Sequence, residues 1–200
     1  ALAWTRRAAP VALPSQATPE TVARLLAEAP RALQQWPWED KPKTPKSRAA
    51  KWHIDNVYHV QALLWAMLAP VFPDLRREDY APPVGPIQPR VDFGIPSLRL
   101  LIEAKFARTR AALKETVNEI AQDNSNYFTT PGAYDRLLVF VWDNGAHSED
   151  HALVREGMRK YDRVVDAVIV GRPGHMTDGA PAAAESPGRW RLDDARAPPR

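Results

Sequence analysis

A chain of 200 residues fits one domain with extensions and is long enough to bury a real core. Lys and Arg number 27 against 24 Asp and Glu, and the formal net charge of +3 points only weakly to a polyanionic partner. Cysteine is absent, which excludes disulfides and thiolate metal centres; no apolar run approaches the ~18 residues of a membrane span and no signal-peptide pattern opens the chain, so a cytoplasmic protein is expected.

Proline divides the chain. Of 20 prolines only Pro131 falls between Ser97 and Arg172, so the densest folded part is expected to start there. The expected organisation is a lead-in over 1–47 with one amphipathic helix and a Pro/Lys-rich linker, a folded domain over 48–172, and a disordered tail over 173–200. The chain opens on Ala1 rather than Met, as a segment of something longer would.

The first helix signal is Thr18-Pro19-Glu20: a hydroxyl N-cap, a proline at the first helical position and an acid in the first turn. Val22, Leu25, Leu26, Ala29 and Leu33 follow at helical spacing, predicting a helix to about Trp36 that serves packing or docking. Pro42 and Pro45 then prevent regular structure. Lys41, Lys43, Lys46, Arg48 and Lys51 make the densest positive stretch, which reads as a solvated linker or as a phosphate-contacting segment.

Ile54, Val57, Tyr58, Gln61, Leu64, Trp65 and Leu68 recur every three or four residues and predict a long helix over Arg48 to Leu68, closed by Pro70. A short strand is expected around Leu75 to Tyr80. Farther on, Thr109 to about Phe128 reads as a helix, Arg136 to Trp142 as the strongest strand, Ser148 to about Tyr161 as a helix and Val164 to Gly171 as the last strand. That succession, with one hairpin before it, predicts a mixed sheet with helices on both faces.

The hairpin carries the chemistry. Arg90 to Phe93 and Leu98 to Ala104 read as neighbouring strands about a Gly94-Ile95-Pro96-Ser97 turn. Strand side chains alternate faces, so Glu103 and Lys105 project from one side, and Asp92 comes beside Glu103 across the pair. Two carboxylates and an amine at one rim suit a divalent metal, whose remaining positions take water and a substrate phosphate; such an assembly hydrolyses phosphodiesters. A Glu-x-Lys pair is also a common solvated strand face. The strand is apolar on nearly both sides, however, which marks it as interior, and a charged pair there needs partners or a metal. His53 and His59 do not share a helix face, and His147 and His151 lack the intervening Glu of an HExxH zinc site, so all four read as surface or packing residues. Neither a G-x-S-x-G elbow nor a phosphate-binding G-x-x-x-x-G-K-[ST] loop is present.

Asp92, ten intervening residues, then Glu103-Ala104-Lys105 resembles the PD-(D/E)xK nuclease superfamily. More narrowly, the chain is similar to DpnII/MboI-type restriction endonucleases. The likeness runs in order through Val60-Gln61-Ala62-Leu63-Leu64, Arg77-Glu78-Asp79-Tyr80, Arg90-Val91-Asp92-Phe93, Leu101-Ile102-Glu103-Ala104-Lys105, then Glu119, Asp123 and Tyr127, and Leu137 to Asp143. It covers about Tyr58 to Val170. It implies an α/β/α sandwich with a central mixed sheet of four to five strands, Asp92 and Glu103 as ligands of Mg²⁺ (or Mn²⁺), and Lys105 as the residue that positions or activates water. Gln61, Glu78, Asp123 and Tyr127 match positions around that centre. Two departures stand out: Val57 occupies the place where the family often has a glutamate, and Pro89 lies three residues ahead of Asp92 rather than beside it.

The expected function is therefore a metal-dependent endonuclease domain acting on DNA, of restriction or anti-phage type, alone or as a homo-oligomer or part of a larger defence complex. The alternative is a catalytically inactive nuclease-like module that binds nucleic acid or a partner protein.

Overall fold

The computed structural model describes residues 17–83, 86, 88–129 and 132–177. Thr18 caps the first helix, α1 (Pro19–Ala27), by accepting a hydrogen bond from the Thr21 amide at 3.3 Å. The single helix expected to Trp36 is broken. It stops at Glu28 and restarts as α2 (Ala29–Ala32) and a 3-10 turn, Leu33–Gln35. Pro30 is the reason, because it has no amide hydrogen to donate and its ring would collide with the carbonyl one turn back.

The helix predicted from Arg48 begins only at Val57, as α3 (Val57–Leu68). Residues 37–52 instead form an arch. Trp38 bridges Lys51 in antiparallel fashion, the Glu39 amide donates to the Ala50 carbonyl at 2.9 Å, and the Trp52 amide donates to the Pro37 carbonyl at 3.0 Å. Trp36 closes the base: its indole donates to the Trp52 carbonyl at 2.7 Å and its ring meets that of Trp52 edge-on at 5.4 Å. Asn56, in an extended conformation, sets the helix start by accepting from the Tyr58 and His59 amides at 2.9 and 3.2 Å.

Five strands follow: β1 (Arg76–Tyr80), β2 (Arg90–Ile95), β3 (Leu100–Ala107), β4 (Arg136–Asp143) and β5 (Val164–Gly171). They lie side by side in chain order, β1–β2–β3 antiparallel and β3–β4–β5 parallel, so the sheet is mixed as expected. The parallel steps are bridged by α4 (Arg110–Tyr127) and α5 (Ser148–Met158). The hairpin turn differs from expectation. Gly94 and Ile95 continue β2, and the chain reverses through Pro96–Leu98 and Arg99, whose φ is 52°. Gly94 is required by a neighbour rather than by a turn: a Cβ there would collide with the Tyr134 hydroxyl, which donates to Asp79.

The core has two halves. Leu26, Leu33, Leu64, Leu68, Phe93, Ile102, Phe140 and Trp142 fill one face of the sheet, under α1–α3. Leu101, Leu113, Ile120, Val139, Val141 and Met158 fill the other, under α4 and α5. The result is a three-layer α/β/α sandwich with a five-stranded mixed sheet. The first helix lies against β5, with Val22 and Leu26 fully buried, which is the packing role of the two expected for it. Met176, in the short turn Gly174–Met176 after β5, is also buried in this face; the rest of the expected tail, 178–200, lies outside the described residues.

Leu26→Ala therefore removes a fully enclosed side chain and is expected to cost about 2–5 kcal/mol. Urea unfolding followed by circular dichroism measures it; a loss below about 1 kcal/mol would mean that α1 is an appendage to the core.

Candidate active site

Where Phe93 pairs with Ile102, the two strands of the hairpin are still in register, and the next residues along them are Asp92 and Glu103. Just beyond, Asp92 reaches over β3. Its Oδ2 accepts from the Ala104 amide at 2.8 Å and its Oδ1 from the Gln61 side chain of α3 at 2.6 Å. Glu103 is only 8% exposed. One of its oxygens accepts from the Tyr127 hydroxyl of α4 at 3.0 Å, and the other lies 3.1 Å from Lys105 Nζ.

Strand parity does the rest. Two residues beyond Glu103 on the same face, Lys105 donates to Asp123 at 2.7 Å and stands 3.7 Å from Glu119, residues one helical turn apart on α4. Thr109, whose hydroxyl accepts from the Ala112 amide at 3.2 Å, starts that helix so that it runs back over β3. The structure thus brings together Gln61, Asp92, Glu103, Lys105, Asp123 and Tyr127, with Glu119 added. Glu78 is apart: its carboxylate lies 3.6 Å from Arg90, and its backbone has the left-handed φ of 52°.

These contacts shift protons. Burial, reinforced by the neighbouring Asp92, pushes Glu103 up to about 8, and burial raises Asp92 despite its bond from the Ala104 amide. Burial alone would lower Lys105, but Glu103 and Asp123 outweigh it and hold the ammonium above its ordinary value. Tyr127 is raised by burial and by Glu103, so it is a hydroxyl donor throughout the working range.

The pair opens into a groove of about 480 Å³. Its walls include Tyr58, Arg90, Phe106 and Arg108, which sequence reasoning did not single out. Arg90 stands two residues before Asp92, a strand-parity signal that was available; Tyr58 and Arg108 had none. The basic residues Lys41, Lys43, Lys46, Arg48 and Lys51 sit on the 37–52 arch and do not line the groove; Lys43 pairs with Glu39 at 3.3 Å and Lys51 with Asp40 at 2.8 Å. His147 and His151 are more than surface residues. Their rings bracket Asp143, whose side chain is fully buried, at 3.0 and 2.9 Å, and the Gly145 and His147 amides also donate to it, so the four residues tie the turn between β4 and α5.

Among the described residues no group of three or more His, Asp and Glu is arranged to hold a metal ion. Asp92 and Glu103 nonetheless suit a hard dication in the chemistry of their donors: both offer carboxylate oxygens, and both are disfavoured as anions by burial, which a bound cation would relieve.

The Glu103 shift has a measurable consequence. The folded chain keeps this proton up to about pH 8 whereas the unfolded chain releases it near 4.5, so the native state binds more protons in that interval and metal-free stability falls as pH rises through it. In EDTA, Glu103→Gln is expected to melt above the wild type by a margin that widens between about pH 5 and 8. Calorimetry at stepped pH checks this; a margin constant with pH would mean that Glu103 is ionised throughout.

The model of the DpnII-MboI family, described as REase_DpnII-MboI, matches residues 28–174, a span that takes in the whole acid cluster and all five strands. No match is found among curated proteins or among solved structures. Because the family match extends over most of the chain and the three-layer fold agrees with it, the protein belongs to the DpnII-MboI restriction endonuclease family, and is a nuclease of the restriction type.

Proposed function

We propose that this chain is a Mg²⁺-dependent endonuclease domain, with Mn²⁺ able to substitute, that hydrolyses DNA phosphodiesters in the groove beside Asp92 and Glu103. Restriction or anti-phage defence is the corresponding biological role, and residues 48–172 form the catalytic unit together with α1 and Met176, which complete its core. The observation that carries the reading is the convergence of a buried carboxylate, a half-buried one and one lysine at the open end of the β2–β3 pair. A dication on Asp92 and Glu103 would supply Lewis acidity and a water of lowered pKa.

The chain's own groups do the positioning. Gln61 and the Ala104 amide fix both oxygens of Asp92, and Tyr127 and Lys105 fix those of Glu103, so neither carboxylate can turn away from the groove. Lys105 stays protonated, so it acts by donating hydrogen bonds and charge to an attacking water or phosphoryl oxygen and not by accepting a proton. Asp123 and Glu119 keep that ammonium in place. The arch over 37–52 has five basic residues against Glu39 and Asp40, a surplus equal to the formal net charge of the whole chain, +3, and contacts DNA phosphates outside the groove.

Purified protein with Mg²⁺ or Mn²⁺ is expected to degrade plasmid DNA, and EDTA to stop it. Lys105→Ala is expected to slow cleavage by roughly 10²–10³-fold, the scale of losing one preorganised donor. Agarose-gel time courses on variants of wild-type melting temperature decide it. Undiminished cleavage by Lys105→Ala rejects the role given to this lysine, whereas metal-dependent thermal stabilisation without any cleavage supports an inactive binding module instead.

A further inference from the structure

The groove has a charge problem that the acid cluster cannot solve. Asp92, Glu103, Glu119 and Asp123 stand around a single lysine, and with all of them ionised a dication would still leave one negative charge there. Lys105 cannot offset that charge alone, since its own is already shared among three carboxylates, two within 3.1 Å and a third at 3.7 Å. A polyanion approaching this site therefore needs other cations.

Two stand on the rim of the same groove. Arg90 opens β2 two residues before Asp92, and Arg108 follows the last residue of β3, three beyond Lys105, so both sit at the open end of the hairpin. Both are exposed. Arg108 is already held: its Nη2 donates to the Asp55 carbonyl at 2.8 Å and its guanidinium lies 5.2 Å from the centre of the Phe106 ring. Arg90 pairs with an exposed carboxylate, Glu78, at 3.6 Å. On the facing wall Tyr58, in the first turn of α3, is 62% exposed although its backbone is fixed by Asn56.

We propose that Arg90 and Arg108 bind the phosphates adjoining the scissile one, that Glu78 occupies Arg90 until a phosphate displaces it, and that Tyr58 is the wall against which the nucleotide between them rests. This rests on the DNA-cleaving reading above. A guanidinium can present two parallel N–H groups to a phosphate, and the Phe106 and Asp55 contacts pre-set one of the two forks, which lowers the ordering cost of binding.

The test is binding of a short fluorescein-labelled duplex by anisotropy, in EDTA so that nothing is cut, between about 50 and 200 mM salt. Arg90→Ala and Arg108→Ala are each expected to weaken binding about tenfold and to reduce the slope of log Kd against log salt by about one. Arg90→Lys and Arg108→Lys, which keep the charge, retain the slope. Tyr58→Ala is expected to weaken binding at least about fivefold with the slope unchanged, and Glu78→Gln to tighten it. The tightening separates the proposal from simple loss of fold, because a damaged protein does not bind better. Wild-type slopes in both alanine variants would overturn the clamp while leaving DNA cleavage in place; a wild-type protein that neither binds nor cuts DNA would overturn both.

Discussion

Holding Glu103 at 8% exposure inside an apolar sheet is the constraint around which the rest of the molecule is arranged. An unpaired carboxylate in such surroundings costs several kcal/mol, so each oxygen has to find a donor. The donors come from different layers: Tyr127 from the helix on one face, Lys105 from the strand itself, and for the neighbouring Asp92 a glutamine from the helix on the other face. The polar site therefore pins α3, β3 and α4 to one another at a point where apolar packing alone would leave their relative shift loosely defined. Lys105 carries a disproportionate share, since it joins two acids of α4 to one of β3.

That centre was legible because strand parity is strict. A two-residue step puts Glu103 and Lys105 on the same face wherever the strand ends fall, and the hairpin brings Asp92 to them even though the chain reverses two residues beyond the predicted turn. The four-residue spacings of Glu119, Asp123 and Tyr127 worked for the same reason on a helix. What failed depended on residues far apart in the chain. Gly94 reads as a turn residue in isolation; it is glycine because Tyr134 lies over it. The helix predicted from Arg48 is lost to the indole of Trp36, which holds Trp52, and to Asn56, which starts the helix more than two turns later. The purpose of His147 and His151 required knowing that Asp143 closes β4 as a buried acceptor and is not merely the first residue of a turn.

The segment before the sheet also acquires a structural logic. Strand β5 is at one edge of the sheet, where unpaired backbone groups invite association with other chains. Helix α1 lies against that strand, and Asp166 of β5 is tied to Arg155 of α5 at 2.6 Å, so charge and cover both stand near the edge. Continuing from α1, the chain has to return to α3 on the same face, and the Trp36–Trp52 contact shortens that return into a closed arch. Lys41, Lys43, Lys46 and Arg48 of that arch are exposed and off the walls of the groove, whereas Lys51 is half-buried beside Trp38 and Asp40.

The placement of positive charge then divides by burial. Lys105 is inside, and although burial opposes its charge, Glu103 and Asp123 keep the proton on it, so its contribution is constant across the neutral range. A proton that does not leave cannot be exchanged with a reacting water, which limits this lysine to orientation and charge. Any titration of the site near neutral pH then has to come from the carboxylates, and Glu103, pushed up to about 8, is the one placed to show it. A cation that prefers ionised carboxylates competes with that proton, so affinity for it rises with pH until Glu103 is fully ionised, and activity that depends on it rises in parallel. With a dication as the proposed cofactor, the burial that disfavours Glu103 as an anion would thus also set the pH from which the ion is held.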